Sequence, residues 1–222
     1  MFENFTLEAG GLFELIIKGG PVMIPLLVCS VISLGIAIER LFSLRSKKIL
    51  REDVLTQIEI LIREDKIHEA TALCKHYESP MTRILFKAIV NHEKEKKEIK
   101  EVIEDQGRQE AKFLEKYLTI LGTIANISPL LGLFGTVIGM IKAFNVIGSQ
   151  GMGNAAALGG GIAEALITTA AGLIVGIPTL IFHNYFANKA EFLVLEIEKH
   201  ALRILDILKS EIPTQRRGRI AI

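Results

Sequence analysis

Three uncharged runs leave this chain few ways to fold: Gly19 to Ile38, Tyr117 to Ile141 and Ala165 to Asn188, of 20, 25 and 24 residues. At 1.5 Å per residue, helices of that length reach about 30 Å or more, the thickness of a bilayer's hydrocarbon core. Buried helices of soluble proteins rarely stay uncharged for so long, so the pattern predicts three transmembrane helices. Yet 23% of the residues are charged, against 50% hydrophobic. A substantial water-exposed part must therefore share the chain with the spans.

Lys plus Arg number 26 against 25 for Asp plus Glu, so a net charge of +1 gives no electrostatic reason to expect nucleic acid as a partner. The charge is unevenly placed: 16 basic residues lie between Arg45 and Lys116, 1 before Gly19, none from Ile147 to Gly161, and 7 from Lys189 to Arg219. By the positive-inside tendency the N-terminus lies outside, the 45–116 segment and the C-terminus are cytoplasmic, and the glycine-rich stretch between the last two spans is outside. The stretch before Gly19 carries Glu3, Glu8 and Glu14 but only Lys18, the wrong flank for a cleaved signal peptide. Its apolar positions Phe5, Leu12, Phe13, Leu15, Ile16 and Ile17 suggest a short interfacial helix before a turn at Gly19-Gly20-Pro21; a floppy tail is the alternative.

The cytoplasmic segment has helical periodicity, with Leu50, Val54, Leu55, Ile58, Leu61 and Ile62 recurring at three- and four-residue spacing, as do Ile84, Leu85, Ala88 and Ile89. Ser79-Pro80 marks a helix start. From Glu93 the only breaker before Lys116 is Gly107, so one long helix is expected to run into the second span, and the third span to continue through Leu208. The resulting map has an outer interfacial helix at 1–18, span one at 19–44, a cytoplasmic helical region at 45–116, span two at 117–147, an outer loop at 148–161, span three at 162–188, and a cytoplasmic C-terminal helix and tail at 189–222. The class is an all-α membrane protein of three transmembrane helices with long cytoplasmic helical extensions.

A charged side chain near a bilayer centre costs about 2.5–3.5 kcal/mol, so an intramembrane acid needs a reason. Glu164 is the candidate, opening the third span in GIAEALITTAAGL, Gly161 to Leu173. Burial favours a carboxyl's neutral form, which a proton-exchanging acid must visit. Lys142 lies at a similar expected depth on the antiparallel second span, so an ion pair between Lys142 and Glu164, or helix-start capping, is the structural alternative. Glu39 and Arg40 are expected to anchor span one at the inner interface. Thr136 and Thr169 lie six and five residues deep from Lys142 and Glu164; hydroxyls at those levels can ring a pore or bond their own helix. Pro129 and Pro178 are expected to bend their helices locally.

Gly135 and Gly139 form a GxxxG, and Glu164, Thr168, Gly172 and Gly176 follow at intervals of four, placing small groups along one stripe for close helix packing. So much small-residue surface implies a homo-oligomer or a membrane partner. Gly148 to Gly161 has no P-loop pattern and is expected to be a flexible turn. No catalytic constellation emerges: His68, His76, His92, His183 and His200 are scattered and expected to be solvated, and HExxH and GxSxG are absent. Cys29 and Cys74 lie in different environments without CxxC spacing, so neither a disulfide nor a metal site is expected.

The strings GLFGTVIGMIKAF (Gly132 to Phe144), GIAEALITTAAGL and GGPVMIPLLVCSV (Gly19 to Val31) strongly resemble the MotA/TolQ/ExbB proton-channel family, most of all its ExbB/TolQ branch. The resemblance covers nearly the whole chain, and three spans are unlike the four of the flagellar MotA type. It implies a homopentamer around a dimer of a single-span ExbD/TolR-like partner in a bacterial inner membrane, with the N-terminus periplasmic. Proton motive force would drive work on a TonB- or TolA-like envelope protein, with protons as coupling ion, no other cofactor and no enzymatic activity. By motif, the pore-lining threonines fall on Thr136 and Thr169, and the third helix's acid falls on Glu164. Glu164 and the interfacial Glu39 are the only carboxylates of the spans, so a partner must supply an acid to complete a path. Two features depart from the pattern: Gly160 stands where many relatives have Pro, and Lys142 is unexpected. A non-conducting membrane scaffold or secretion accessory is the competing class.

Overall fold

A computed structural model describes residues 16–150 and 155–219, and among them every regular element is helical. The helices are α1 (Met23–Ser43), α2 (Ser46–Ile49), α3 (Glu52–Arg63), α4 (Ile67–His76), α5 (Pro80–Val90), α6 (Lys96–Leu114), α7 (Leu118–Gln150) and α8 (Ala155–Arg219). Of these, α1, α7 and α8 are long and apolar enough to cross a membrane. The described residues divide into two compact units, one of those up to Glu39 and from Tyr117 to Tyr185, the other of those from Arg40 to Lys116 and from Phe186 onward.

The first unit holds the apolar runs. Its outward side chains are large and exposed, including Val31, Leu130, Phe134, Leu166, Ile174 and Ile181. That surface suits lipid, where burial against another helix gains no hydrophobic free energy and close packing has to hold the helices together. Only the last three residues before Gly19 belong to the described part of the expected N-terminal helix, and they are helical; residues 1–15 lie outside the described residues. Gly20 turns the chain with φ +71°, a left-handed conformation that glycine adopts without strain. Helices α7 and α8 continue through Pro129 and Pro178.

In the second unit α3 to α6 pack in sequence order, with the distal part of α8 contributing to the same unit. Val54, Ile58 and Ile62 of α3, Ile84, Leu85 and Ile89 of α5, Ile99 and Ile103 of α6, and Leu193, Ile197, Leu205 and Leu208 of α8 are buried. This is the amphipathic three- and four-residue spacing realised as a core. Helix α5 starts as expected at Ser79: Thr82 N donates to Ser79 Oγ at 3.2 Å and Ser79 N donates to Thr82 Oγ1 at 2.9 Å, with Pro80 at the first position. The pair is a capping box in which threonine stands where Glu or Gln is usual. On α3, burial opposes the charge of Glu59, but hydrogen bonds from Arg63 and Arg203 more than offset it and hold the carboxyl below its ordinary range. Cys74 is buried, which pushes its thiol up to about 12 and makes it a small apolar core residue.

A buried polar contact ties α5 to α6. Arg83 Nε donates to Glu110 Oε1 at 2.8 Å and Nη2 to Oε2 at 2.5 Å, and Gln106 Nε2 donates to Oε1 at 3.0 Å. The Glu110 side chain is 6% exposed and that of Arg83 41%, so the two partners are not equivalent. Arg83→Ala strands a buried carboxylate and is expected to cost about 3 kcal/mol, the low end for breaking a buried pair. Glu110→Ala leaves a guanidinium that can turn to water and is expected to cost roughly 1 kcal/mol. Thermal unfolding of the two variants checks the order; equal losses would show that the carboxylate is not the costly partner.

Three expectations are corrected. The helix predicted to run from Glu93 into span two is interrupted, because α6 ends at Leu114 and Tyr117 takes φ +68° before α7 begins. The break is supported by Arg40, which is 3% exposed and donates from Nη1 to Leu114 O at 3.0 Å, satisfying a terminal carbonyl of α6. Arg40 is thus a buried cap rather than an interface anchor. The glycine-rich loop expected at 148–161 is mostly helix: α7 extends to Gln150 and α8 begins at Ala155, leaving 151–154 outside the described residues. Glycine weakens an isolated helix by about 1 kcal/mol per residue. At Gly161 helix packing opposes this loss, since a Cβ there would meet Gly139 O at 2.9 Å.

Candidate functional site

The candidate site lies in the first unit, where α7 and α8 meet along the small-residue stripe. Gly135 faces Thr168, with a Cβ there 2.3 Å from Thr168 Cγ2. Gly139 faces Gly161 and Ala165, Gly172 faces Ser128 and Gly132, and Gly176 faces Pro129 and Ala125. At Gly139 and Gly172 the nearest atoms are backbone oxygens, 2.7 and 2.6 Å from the added Cβ, so neither position has room for a side chain. The four-residue spacing of Glu164, Thr168, Gly172 and Gly176 keeps these groups on one face of α8, because 3.6 residues make a turn.

At one end of this seam Lys142 Nζ lies 2.5 Å from Glu164 Oε1, with the Glu164 side chain 16% exposed and that of Lys142 48%. The turn before α1 closes over the same carboxylate: a Cβ on Gly20 would fall 2.0 Å from Glu164 Oε1. Next to it, Thr168 Oγ1 lies 2.9 Å from Gly19 O and 2.7 Å from Glu164 O, and its single proton serves one acceptor at a time. Glu164 therefore collects a cation from α7 and the turn leading into α1. Neither Gly19 nor Gly20 was singled out by sequence as a neighbour of the acid; the Gly-Gly pair was legible only as a turn.

The two threonines differ. Thr169 Oγ1 donates across the seam to Gly132 O at 3.1 Å, whereas Thr136 Oγ1 donates within its own helix to Leu133 O at 2.6 Å. Both remain half-buried rather than sealed. Thr168, placed from sequence only in the packing stripe, is fully buried and makes the contacts just described. Lys142, Glu164, Thr168 and Thr169 are thus linked through one seam, and Thr136 lies one residue from Gly135 on it.

Beyond Glu164, α8 has no ionisable side chain from Ala165 to Phe182, and α7 has none from Leu118 to Ile141. The next is His183, read from sequence as solvated. It is half-buried, and a Cβ on Gly122 of α7 would lie 2.9 Å from its Nε2. Among the described residues no group of His, Cys, Asp and Glu could hold a metal ion.

Comparison with known proteins identifies the family. A profile of the MotA/TolQ/ExbB proton channel family matches residues 76–199. An ExbB-like biopolymer transport protein of Synechocystis is 32% identical over 172 residues, which are 77% of this chain and 82% of that protein. The Tol-Pal system protein TolQ of Pseudomonas aeruginosa is 42% identical over 88 residues, 40% of this chain and 38% of its own. The biopolymer transport protein ExbB of Aquifex aeolicus is 41% identical over 87 residues, 39% of this chain and 59% of that one. With a family profile over more than half its length and a 32% identical relative matched over about four-fifths of that relative's length, this three-span chain is a membrane protein of the MotA/TolQ/ExbB proton channel family, in its ExbB/TolQ branch.

Proposed function

We infer that this chain is the proton-channel subunit of an inner-membrane motor that converts proton motive force into mechanical work on an envelope protein. In this reading five copies surround a dimer of a single-span ExbD/TolR-like protein, the N-terminus faces the periplasm and the C-terminus the cytoplasm. The driven protein is TonB- or TolA-like, so the work is import or envelope maintenance. Protons are the coupling ion. The names of the relatives, ExbB-like biopolymer transport proteins and TolQ, support the energy-transduction role.

The observation that carries the reading is the half-buried acid Glu164 at one end of a seam containing Thr169 and Thr168, with no carboxylate in residues 118–141 of α7 or 165–182 of α8. A proton needs groups within hydrogen-bond reach at each step. Along the seam this chain offers the Glu164 carboxylate and the Thr168 and Thr169 hydroxyls and no second acid, so an acid on a partner helix must complete the path. The protein alone is therefore expected to conduct few protons, and the complex many.

The test has two parts. Mass determination of the detergent-purified protein, alone and with the acid-bearing single-span protein encoded beside it, should give five to two. Proton uptake into liposomes should then require the partner. A monomer or dimer that ignores the partner, or robust proton-selective currents from the homo-oligomer alone, would overturn the reading.

One observation favours a second reading, a non-conducting scaffold: each seam threonine already has a packing partner, Thr169 with Gly132 O, Thr168 with Gly19 O and Thr136 with Leu133 O. In that case Glu164→Gln and Thr136→Val would be nearly silent.

A further inference from the structure

We propose that His183 is the inner proton-exchange group of this protein, the counterpart of Glu164 at the opposite end of the same helical seam. The proposal rests on the proton-channel reading and adds a residue to it. Along α8 the stripe of Glu164, Thr168, Gly172 and Gly176 continues after seven more residues to His183, keeping it on the face turned to α7. Helical rise puts the two residues, 19 positions apart, about 28 Å from one another along the helix, which matches the hydrocarbon thickness. On α8, Glu164 and His183 thus bracket a run with no other ionisable side chain.

The immediate surroundings fit a group that binds and releases protons. Gly122 leaves room at Nε2, where a methyl would lie 2.9 Å away, and Nδ1 lies 3.2 Å from Asn184 Oδ1. An amide oxygen there accepts from Nδ1–H, which leaves Nε2 with its lone pair free to take a proton. No Lys, Arg, Asp or Glu faces the ring from the α7 residues 118–141, and α8 carries none from Ala165 to Asn188. Imidazole can both take up and release a proton at one nitrogen while the other keeps its hydrogen bond. The step is balanced: neutral imidazole accepts one proton at Nε2 from the membrane path, and the imidazolium gives one proton to water on the inner side. A histidine kept only for packing would be replaceable by a neutral amide or a ring of similar size.

The test uses the complex with its single-span partner in liposomes, under an imposed potential, with an internal pH dye. His183→Gln is expected to lower proton flux by about 10²-fold while the five-to-two mass is unchanged. His183→Ala should be equally slow and should recover flux when imidazole is added, which a structural role would not produce. Gly122→Ala keeps the imidazole but crowds Nε2, and should also slow flux, whereas Gly35→Ala, with nothing within 4 Å, should not. If His183→Gln does not assemble, Gly122→Ala and Gly35→Ala still decide: equal flux in the two overturns the proposal. Wild-type flux in His183→Gln, or loss in His183→Ala without rescue by imidazole, overturns it as well. A wild-type complex that carries no protons sinks the channel reading and this proposal with it; a conducting wild type beside an equally conducting His183→Gln sinks this proposal alone.

Discussion

Gly139→Leu is expected to leave little monodisperse protein in detergent, with a destabilisation of about 3 kcal/mol or more, while Gly148→Leu on the same helix is neutral. The contrast follows from what each Cβ would meet. At Gly139 it would sit 2.7 Å from Gly161 O, 2.8 Å from Ala165 Cβ and 2.9 Å from Ala165 N, mostly backbone of a helix that can yield only by moving as a whole. At Gly148 nothing lies within 4 Å. Overpacking costs about 1–3 kcal/mol when side chains can rearrange, and here they are not the obstacle. Lipid offers no compensating hydrophobic gain for holding the pair together, so lost contact between α7 and α8 is lost stability. At Gly148 the leucine even raises helix propensity. Size-exclusion profiles and thermal unfolding of the two variants check the prediction; a well-behaved Gly139→Leu protein would show that the seam is not what holds the spans.

Much of this was legible because membrane spans and close-packed seams have simple sequence requirements. Three uncharged runs give the spans, and a period of four in small residues gives the face of α8. Ser79-Pro80 announced α5, since capping chemistry is local. The features that escaped depend on partners distant in sequence. No Gly or Pro marks the break at Tyr117; its support comes from the guanidinium of Arg40, 74 residues before the carbonyl it caps. The glycines at 148 and 159–161 looked like a loop because propensity counts them against a helix, yet Gly161 is needed where α8 touches Gly139. His183 looked like any scattered histidine until Gly122 was found opposite it. Composition also hid the Arg83 and Glu110 pair, which is two charges among many until burial distinguishes them.

Lys142 bears on both the channel and the scaffold readings. Its ammonium at 2.5 Å makes Glu164 look like half of a structural ion pair, and the Gly20 turn packed on the same carboxylate strengthens that view. A structural pair, however, requires only opposite charges in contact, and the contact is the same whether or not the carboxylate also exchanges protons. The geometry of Glu164 alone is compatible with both the channel and the scaffold, so the discriminating residue has to be one whose packing role is small and whose proposed transport role is large. Thr169 is that residue.

Thr169→Val is expected to lower energised transport by about ten-fold or more while the complex assembles normally. Valine keeps the branched shape of threonine and removes only the hydroxyl, so the test separates chemistry from volume; a bulkier residue would press on Gly132, whose own Cβ position is 3.1 Å from Thr169 Cα. What is lost structurally is one hydrogen bond, Thr169 Oγ1 to Gly132 O at 3.1 Å. Such interhelical bonds are worth about 0.6 kcal/mol on average and at most about 1.7. A loss of that size leaves a packed three-span unit folded. A proton path is affected differently, because a hydroxyl that can both donate and accept is replaced by a methyl that does neither, and each missing positioned group costs about 10²-fold in a proton-transfer step. Assembly by mass and transport by proton flux, measured on the same preparation, should therefore diverge. If they do not, and Thr169→Val carries protons as well as the unaltered complex does, the hydroxyl is a packing group and the scaffold reading gains the residue on which the channel reading depends.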